Sequence, residues 1–392
     1  MSTLTQSCLP LDSCPRTSLT FSAPTLKWSP NSGQNLAPPP EVQALIGITL
    51  NTRYRLDDYL AHGYFSYVFQ ARDLQNDIDV AVKILRTDRL TSDSILELDT
   101  ERDLLSRLSN RDHVIDSLDG YLHTHLLQSP NSTAQWPVAL HYVAMELADG
   151  CLIELVLARD LVEWHERLSL FRSVAKGVHQ THISEIFHRD IKADNVLLFE
   201  DDAQADAKLC DFGRAAAIQS SRRYPADWYL AGRGDLAYSP PEFIWEIGGL
   251  SGPDWQKADL YLLGSVLFEL ATGQQLTSMV GAAVRGLAGP HLRLPPDDRR
   301  TEFAARVNEL QSHFETAWSV FDDELPPPIR QQGGRLLRSL TAPDPRRRGP
   351  HTPLRSDYRW DATWILRQVD IMRKILRHDR ARSERIARRK AG

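Results

Sequence analysis

The chain of 392 residues is 42% hydrophobic and 25% charged, and its formal net charge is −5 at pH 7. These values are typical of a globular protein, and the length allows one large two-lobed domain or two ordinary ones. Cys8, Cys14, Cys151 and Cys210 are too few and too scattered for a disulfide framework and have no metal-ligand spacing. Since no secretory signal or bilayer-spanning apolar run is evident, a cytoplasmic protein with free thiols is expected.

Residues 1–48 are rich in serine, threonine and proline and show no apolar periodicity. Such a composition buries too little apolar surface to offset the entropy lost on ordering. We therefore predict a disordered segment here. An inert tail is favoured over a docking or phosphorylation role.

Three strands are predicted next, over residues 54–61, 67–73 and 78–85, because β-branched and aromatic residues recur there between turn signals. The third strand carries Lys83 among apolar residues. A lysine in that setting is costly to bury unless it is paired. The following residues, 92–108, have the polar start and the apolar spacing of a helix, and they contain Glu97 and Glu101 one turn apart.

Two short polar runs dominate the middle of the chain, HRDIKADN at 188–195 and DFG at 211–213. The apolar residues between them predict a β-hairpin, which would hold Asp190, Asn195 and Asp211 at one edge. Two carboxylates and an amide suit a hydroxyl nucleophile, a phosphate and a divalent metal, since Asp190 can take a proton while the other two offer hard oxygen ligands.

Further helices are predicted by apolar periodicity on both sides of these runs. They cover residues 168–182, 259–273 and 302–319, and a last apolar stripe runs through Trp364, Ile365, Val369, Met372 and Leu376. Residues 377–390 are then nearly all basic. For that run a solvated helix or frayed tail is favoured over a surface that binds nucleic acid or an acidic partner.

The two polar runs resemble the catalytic loop H-R-D-x-K-x-x-N and the metal-binding turn D-F-G of Hanks-type (eukaryotic-type) serine/threonine protein kinases. The resemblance extends over residues 54–350, about three quarters of the chain. It includes V-A-V-K at 80–83, E-x-x-x-L at 101–105, P-P-E at 240–242 in place of A-P-E, and D-P-x-x-R at 344–348.

This resemblance implies a bilobal α+β fold with a small β-rich lobe and a larger helical lobe. The kinase domain would cover residues 49–355, divided into lobes at 49–147 and 148–355. Residues 356–392 would form a C-terminal helix and basic tail. In the family, an aspartate at the position of Asp259 caps the catalytic-loop backbone, and an arginine at the position of Arg348 pairs with the glutamate at 242.

The resemblance also implies transfer of the γ-phosphoryl group of ATP to Ser or Thr hydroxyls of protein substrates, the protein itself included. Asp190 would orient and deprotonate the hydroxyl. Lys192, which favours Ser/Thr substrates, would stabilise the charge on the moving group. Lys83, held by Glu101, would contact the α- and β-phosphates, with Glu97 as the alternative partner.

The metal and nucleotide sites are assigned in the same way. Asn195 and Asp211 would bind Mg²⁺, with Mn²⁺ as an alternative. Met145 would gate the back of the adenine pocket, and Glu146 and Ala148 would offer backbone hydrogen bonds to adenine. The expected ATP-binding residues are Leu60, Gly63, Val68, Ala81, Lys83, Met145, Glu146, Ala148, Leu197 and Asp211.

Three positions depart from the family pattern. Ala61 and Ser66 stand where the phosphate-binding loop usually has glycines, and Asp235 replaces a threonine that touches the catalytic Asp and Lys. They support an alternative, a pseudokinase or scaffold that binds nucleotide without efficient transfer. A small-molecule phosphotransferase is a weaker alternative, because such enzymes typically lack the glutamate and arginine motifs at 242 and 348.

The resemblance makes residues 214–238 the activation segment. Arg189 resembles the arginine that in many kinases pairs with a phosphorylated residue of that segment. Ser220, Ser221 and Tyr224, close to Arg222 and Arg223, are the candidate phosphate acceptors of that segment.

Overall fold

In the computed structural model of the protein, the described residues are 40–128, 135–200, 205–219, 223–232, 234–350 and 360–391. They form the two lobes that the sequence predicts, an antiparallel sheet with one long helix and a larger helical part. Among the described helices, none combines the length and the apolar content needed to cross a membrane.

An antiparallel sheet builds the small lobe. Its described strands β1 to β7 are Thr49–Leu50, Tyr54–His62, Ser66–Asp73, Ile78–Leu85, Ser117–Asp119, Leu122–Gln128 and Gln135–Glu146. Their order in the sheet is β1-β2-β3-β4-β7-β5, and β6 also pairs with β7. The strands predicted over 54–85 are confirmed. In β2, the apolar residues Tyr54, Leu56 and Leu60 are buried and the polar ones between them are exposed.

Residues 40–48 pack against this sheet. Helix α1 (Pro40–Gln43) and the turn after it bring Val42 and Leu45 into the apolar cluster formed by β1 to β4. Disorder was predicted for residues 1–48, but residues 40–48 are ordered in the structure. Two apolar side chains, Val42 and Leu45, suffice to anchor this segment. Residues 1–39 of that prediction lie outside the described residues.

Helix α2 (Ser92–Arg107) is the long helix of the small lobe, within one residue of its predicted bounds. It begins with a capping box, in which Thr91 Oγ1 accepts from Ser94 N at 3.1 Å and Ser94 Oγ accepts from Thr91 N at 3.0 Å. Its inner face buries Leu98, Leu104 and Leu105 together with the carboxylate of Glu101. The helix therefore presents a charged group to the interior of the protein.

The large lobe is built around two long helices, both predicted from their apolar faces. The helices of this lobe are α3 (Leu152–Leu157), α4 (Trp164–Ile183), α5 (Ala226–Ala231), α6 (Pro241–Ile244), α7 (Gly252–Thr272), α8 (Leu276–Ala288), α9 (Pro296–Glu324) and α10 (Arg330–Thr341). Helix α7 is buried on nearly all sides, and α4 packs against it. Helix α8 was not predicted, and α9 is longer than the predicted 302–319.

Short strands at the front of this lobe carry the two polar runs. They are β8 (Gly150–Cys151), β9 (Ile186–Phe187), β10 (Val196–Glu200), β11 (Ala205–Leu209) and β12 (Ala216–Ala217). β10 and β11 form the predicted hairpin, with Val196 opposite Leu209, and β12 pairs with β9. Residues 188–195 therefore enter the hairpin as residues 211–213 leave it.

Helix α11 (Thr363–Ala391) covers the outer side of α4. The predicted stripe is confirmed, because Ile365, Val369 and Met372 join the apolar core of the large lobe. Arg172 of α4 also donates to Asp370 at 2.7 Å. The basic residues after 377 continue as helix, and most of those with a described side chain are exposed.

Candidate active site

Helix α7 fixes the backbone of residues 188–195. Asp259 accepts hydrogen bonds from His188 N at 2.8 Å and from Arg189 N at 2.7 Å, and its Oδ2 lies 2.9 Å from His182 Nε2. All these groups are buried. Asp259 therefore has the capping role predicted for it, and His182 is a buried core residue whose Nε2 contacts Asp259.

His188 joins the two polar runs. Its Nε2 lies 2.9 Å from the carbonyl oxygen of Cys210, and its ring packs on the buried Phe212 with centroids 4.5 Å apart. Asp211, between these two contacts, has a left-handed backbone with φ of 63°. This turn directs the Asp211 carboxylate toward the small lobe, where it meets Lys83.

Lys83 Nζ is shared by two carboxylates. It donates to Glu101 Oε2 at 2.8 Å and to Asp211 Oδ1 at 3.1 Å. The predicted Lys83–Glu101 pair is therefore present, and Glu97 is not the partner. Glu101 is 1% exposed, so this pair is largely withdrawn from solvent. The ammonium holds β4, α2 and the 211–213 turn in one arrangement.

The ionisation states of Lys83, Glu101 and Asp211 depend on one another. Burial disfavours the ammonium, but Asp211 and Glu101 outweigh it and raise the pKa of Lys83 above its usual value. Burial likewise opposes ionisation of Asp211, yet Lys83 lowers the pKa of that carboxyl. Burial and the Asp211 charge raise the pKa of Glu101. Lys83 and Asp211 are therefore charged at neutral pH.

Asp190 lies in a narrow, buried setting with 7% of its side chain exposed. Its Oδ2 accepts from Arg214 Nη1 at 3.1 Å and from Asn195 Nδ2 at 3.3 Å. Asn195 Nδ2 also donates to the carbonyl oxygen of Asp190 at 2.8 Å. The other oxygen, Oδ1, faces Gly234, where a Cβ atom would be only 2.9 Å away.

The predicted adenine-pocket residues meet in the cleft between sheet and hairpin. Ala81 and Met145 are opposite each other on β4 and β7, and both belong to the main apolar cluster. Val68 of β3 and Leu197 of β10 pack against that cluster and are partly exposed. These four residues form two apolar walls on opposite lobes, the shape that a flat aromatic ring requires.

The other predicted nucleotide residues lie around this pocket. Leu60 is buried near the end of β2, Gly63 is exposed in the turn before β3, and Ala148 is partly exposed after β7. Glu146 ends β7, and its carboxylate accepts from Lys208 Nζ and from Asp116 N. That side chain therefore stabilises the junction of the lobes, and the backbone N of Glu146 donates to the carbonyl oxygen of Asp116 at 3.1 Å.

The greater part of the sequence matches a known domain. The family model described as the protein kinase domain matches residues 54–350. The chain belongs to the protein kinase family. The matched residues contain every side chain of the site described above.

Relatives of this kinase domain include bacterial and plant enzymes. The chain is 29% identical over 235 residues to the serine/threonine-protein kinase PrkC of Bacillus subtilis, which covers 59% of this chain and 32% of PrkC. It is 29% identical over 255 residues to the serine/threonine-protein kinase PknB of Mycobacterium leprae, with coverages of 64% and 37%. For the CBL-interacting serine/threonine-protein kinase 20 of Arabidopsis thaliana, the identity is 27% over 228 residues, with coverages of 58% and 46%. The matched part is thus less than half of each relative.

The oxygen donors of the kinase domain suit a divalent metal. Asp211 has one oxygen on Lys83, and its side chain is 44% exposed. Asn195 uses its amide nitrogen on Asp190, which leaves its amide oxygen as a ligand. Hard oxygen donors of this kind fit Mg²⁺. The described residues contain no cluster of three or more His, Cys, Asp or Glu side chains that could hold a metal ion.

The departures from the kinase pattern have structural accounts. Gly63 N donates to Ser66 O at 2.8 Å, so the shortened phosphate-loop glycine pattern still closes a tight turn. Asp235 is exposed, and its Oδ1 accepts from Ala237 N at 2.9 Å. Its carboxylate therefore caps a local turn, and the segment approaches Asp190 through Gly234 instead.

Two arginines fix the path of the activation segment. Arg348 is fully buried and donates to both oxygens of Glu242, at 2.6 and 2.7 Å, as predicted. Arg189 donates to the carbonyl oxygens of Arg214 and Trp228, at 3.2 and 3.1 Å. Ser220 and Ser221, the predicted phosphate acceptors, lie outside the described residues. Tyr224 is buried, and its hydroxyl donates to the carbonyl oxygen of Gly213.

Sequence reasoning missed the partners of Glu97 and Asp190. Arg214 Nε lies 4.0 Å from Glu97 Oε1, and its Nη1 contacts Asp190. A sequence signal existed, since an arginine directly follows the DFG run. Its target depends on the backbone turn at Asp211, which residue patterns do not specify.

Proposed function

We propose that this chain is a serine/threonine protein kinase that transfers the γ-phosphoryl group of ATP to Ser or Thr hydroxyls of proteins, its own included. The observation that carries the proposal is the convergence of Asp190, Asn195 and Asp211 with the Lys83–Glu101 pair at the mouth of one cleft. These are the groups that phosphoryl transfer requires for positioning and for charge neutralisation.

Each side chain then has one task. Lys83, held by Glu101, orients the α- and β-phosphates. Asp190 accepts a hydrogen bond from the substrate hydroxyl through its Oδ1 and takes its proton as the oxygen attacks. Lys192, two residues on, stabilises the negative charge on the moving phosphoryl group. The apolar walls around Ala81 and Leu197 enclose adenine.

Asn195 and Asp211 are the proposed metal ligands. The bound ion would be Mg²⁺, with Mn²⁺ as the alternative, and it would neutralise phosphate charge. The low pKa of Asp211 supports this assignment, because the carboxylate stays ionised over the working pH range.

Labelled ATP tests the proposal through autophosphorylation of the full chain. Asp190→Ala is expected to fold and bind ATP but to lose transfer by roughly 10²-fold or more, since a general base contributes about that much. Lys83→Ala and Asp211→Ala are expected to lose label as well. Wild-type activity in Asp190→Ala would reject the assigned base. ATP binding without transfer in the wild-type chain would favour the pseudokinase alternative.

The proposal extends to the partners of the protein and to the limits of its domains. Protein substrates follow from the relatives' names, whereas the basic residues 377–390 offer a surface for an acidic partner or nucleic acid. Salt-sensitive binding to single-stranded DNA that disappears on deleting residues 377–392 would support the latter. The proposed kinase unit covers 49–355 with the C-terminal region at 356–392, and the cytoplasm is its proposed location.

A further inference from the structure

Two glutamates of α2 reach the active site by parallel routes. Glu101 contacts Lys83, and Lys83 contacts Asp211. One turn earlier, Glu97 lies 4.0 Å from Arg214 Nε, and Arg214 Nη1 lies 3.1 Å from Asp190 Oδ2. Each route runs from a carboxylate of the helix through a cation to a carboxylate of the large lobe. Residues four apart on a helix share one face, so both routes depend on the same helix position.

Arg214 is well placed to fix Asp190 without blocking it. Its Nη1 and the amide of Asn195 both contact Oδ2, so the two donors act on one oxygen. Oδ1 faces Gly234, which has no side chain to occupy the space in front of it. A buried carboxylate held on one side by a charged donor keeps a single orientation. The free side is then the one that meets the substrate hydroxyl.

Arg214 is itself held in place. Its side chain is 27% exposed, and its backbone carbonyl accepts from Arg189 Nη1 at 3.2 Å. Glu97 is also mostly buried, with 15% of its side chain exposed. Charged contacts in such a setting are screened less than those on the open surface, so a distance of 4.0 Å still couples the two groups.

We propose that Arg214 is a positioning residue for phosphoryl transfer, which holds Asp190 through Oδ2 and ties it to Glu97. The inference rests on the proposed function, in which Asp190 is the base. Helix α2 then sets the orientation of the base as well as that of Lys83. A displacement of α2 would disable both ends of the reaction together.

The test measures the maximal rate of autophosphorylation and the apparent KM for ATP in the full chain. Arg214→Ala is expected to lower the maximal rate roughly 10- to 100-fold and to leave the KM for ATP within about threefold, because the ATP contacts are made elsewhere. Arg214→Lys is expected to lie between this variant and wild type, since it keeps the charge but not both contacts. Glu97→Gln is expected to change the rate in the same direction, and to add nothing when Arg214→Ala is already present.

Arg223→Ala is the matched control. Arg223 belongs to the same segment and also pairs with α2, through Asp103 at 2.6 Å, and within the described residues its ion pair is with Asp103 and not with a residue of the site. Its rate is expected to stay within about twofold of wild type. A merely structural role for Arg214 would not predict partial rescue by lysine, nor a loss of rate with an unchanged KM for ATP. Thermal unfolding identifies a variant that fails to fold. If Arg214→Ala does not fold, the autophosphorylation rates of Arg214→Lys and Glu97→Gln test the inference in its place.

Three results would overturn the inference: an unchanged or raised rate in Arg214→Ala, an equal loss in Arg223→Ala, or additive losses in the double variant. Asp190→Ala separates this failure from that of the proposed function. If Asp190→Ala is inactive while Arg214→Ala is not, only the inference fails. If Asp190→Ala remains active, the proposed function fails as well.

Discussion

Gly234 is the residue whose smallness matters most at the active site. A methyl group at this position would lie 2.9 Å from Asp190 Oδ1, well inside contact distance. Asp190 could not easily yield, because Arg214 and Asn195 hold its other oxygen. The activation segment can therefore run past the proposed base only with a glycine here.

Gly234→Ala should lower the rate of autophosphorylation at least about tenfold, because the added methyl group either displaces the carboxylate or fills the substrate position. The melting temperature should change little, since the site lies at the mouth of a cleft. Gly286→Ala is the matched control, because Gly286 is an exposed helical glycine with no atom within 4 Å of its added Cβ. Equal rates for Gly234→Ala and this control would refute the steric argument.

At the level of elements, α7 is an apolar helix that carries two buried carboxylates. Asp259 receives backbone donors from the 188–195 run. Glu269, near the other end, accepts the hydroxyl of Tyr238 at 2.8 Å on both oxygens. Burial raises the pKa of Glu269 to about 7. One helix thus supports both the catalytic loop and the start of the P-P-E run.

Glu269 makes the stability of the fold depend on pH. Its pKa is about 7 in the folded chain against an ordinary 4.5, so the folded state holds the proton more tightly and loses stability as pH rises from about 4.5 through 7. The loss amounts to at most about 3 kcal/mol. Glu269→Gln keeps an acceptor for Tyr238 without titrating. Its melting temperature relative to wild type should therefore increase between pH 5 and pH 8, and parallel curves for the two proteins would contradict this.

Local sequence patterns predicted the strands and helices better than they predicted the contacts between them. The strands at 54–85 follow from β-branched and aromatic residues between turn signals, and helix α2 follows from a polar start and apolar spacing; both signals are readable in a short window. The pairs of Lys83 with Glu101 and of Arg348 with Glu242 were predicted only through the resemblance, because their partners are far apart in sequence. Neither a local pattern nor the resemblance predicted the Arg214 contacts, because a left-handed turn at Asp211 determines the direction of that side chain.

At the level of the whole molecule, one buried ion pair joins distant parts of the large lobe. Arg348 and Glu242 are 106 positions apart, and Arg348 also donates to the carbonyl oxygens of Ala342 and Lys257. Its guanidinium lies over the ring of Tyr261 at 4.8 Å. The activation segment, α7 and the end of α10 therefore share a single cation.

Removing this cation should destabilise the protein. Arg348→Ala leaves Glu242 buried and unpaired, which costs about 3–5 kcal/mol and should lower the denaturant midpoint accordingly. Arg346→Ala is the control, because Arg346 is 79% exposed and solvent screens its pair with Asp344, so its denaturant midpoint should stay close to that of wild type. Similar midpoints for the two variants would show that the buried pair does not hold the lobe together.

The core of the large lobe draws its residues from most of the chain, and this affects how the protein is made. The apolar cluster under the sheet lies between Val42 and Ala144, whereas the main cluster extends from Ala81 to Met372. Because ribosomes add about 5–20 residues per second, the sheet can assemble many seconds before α11 emerges. Until then the outer side of α4 has no cover. The nascent chain therefore passes through a stage in which the surface of α4 that α11 covers in the folded protein is open to solvent and to other proteins.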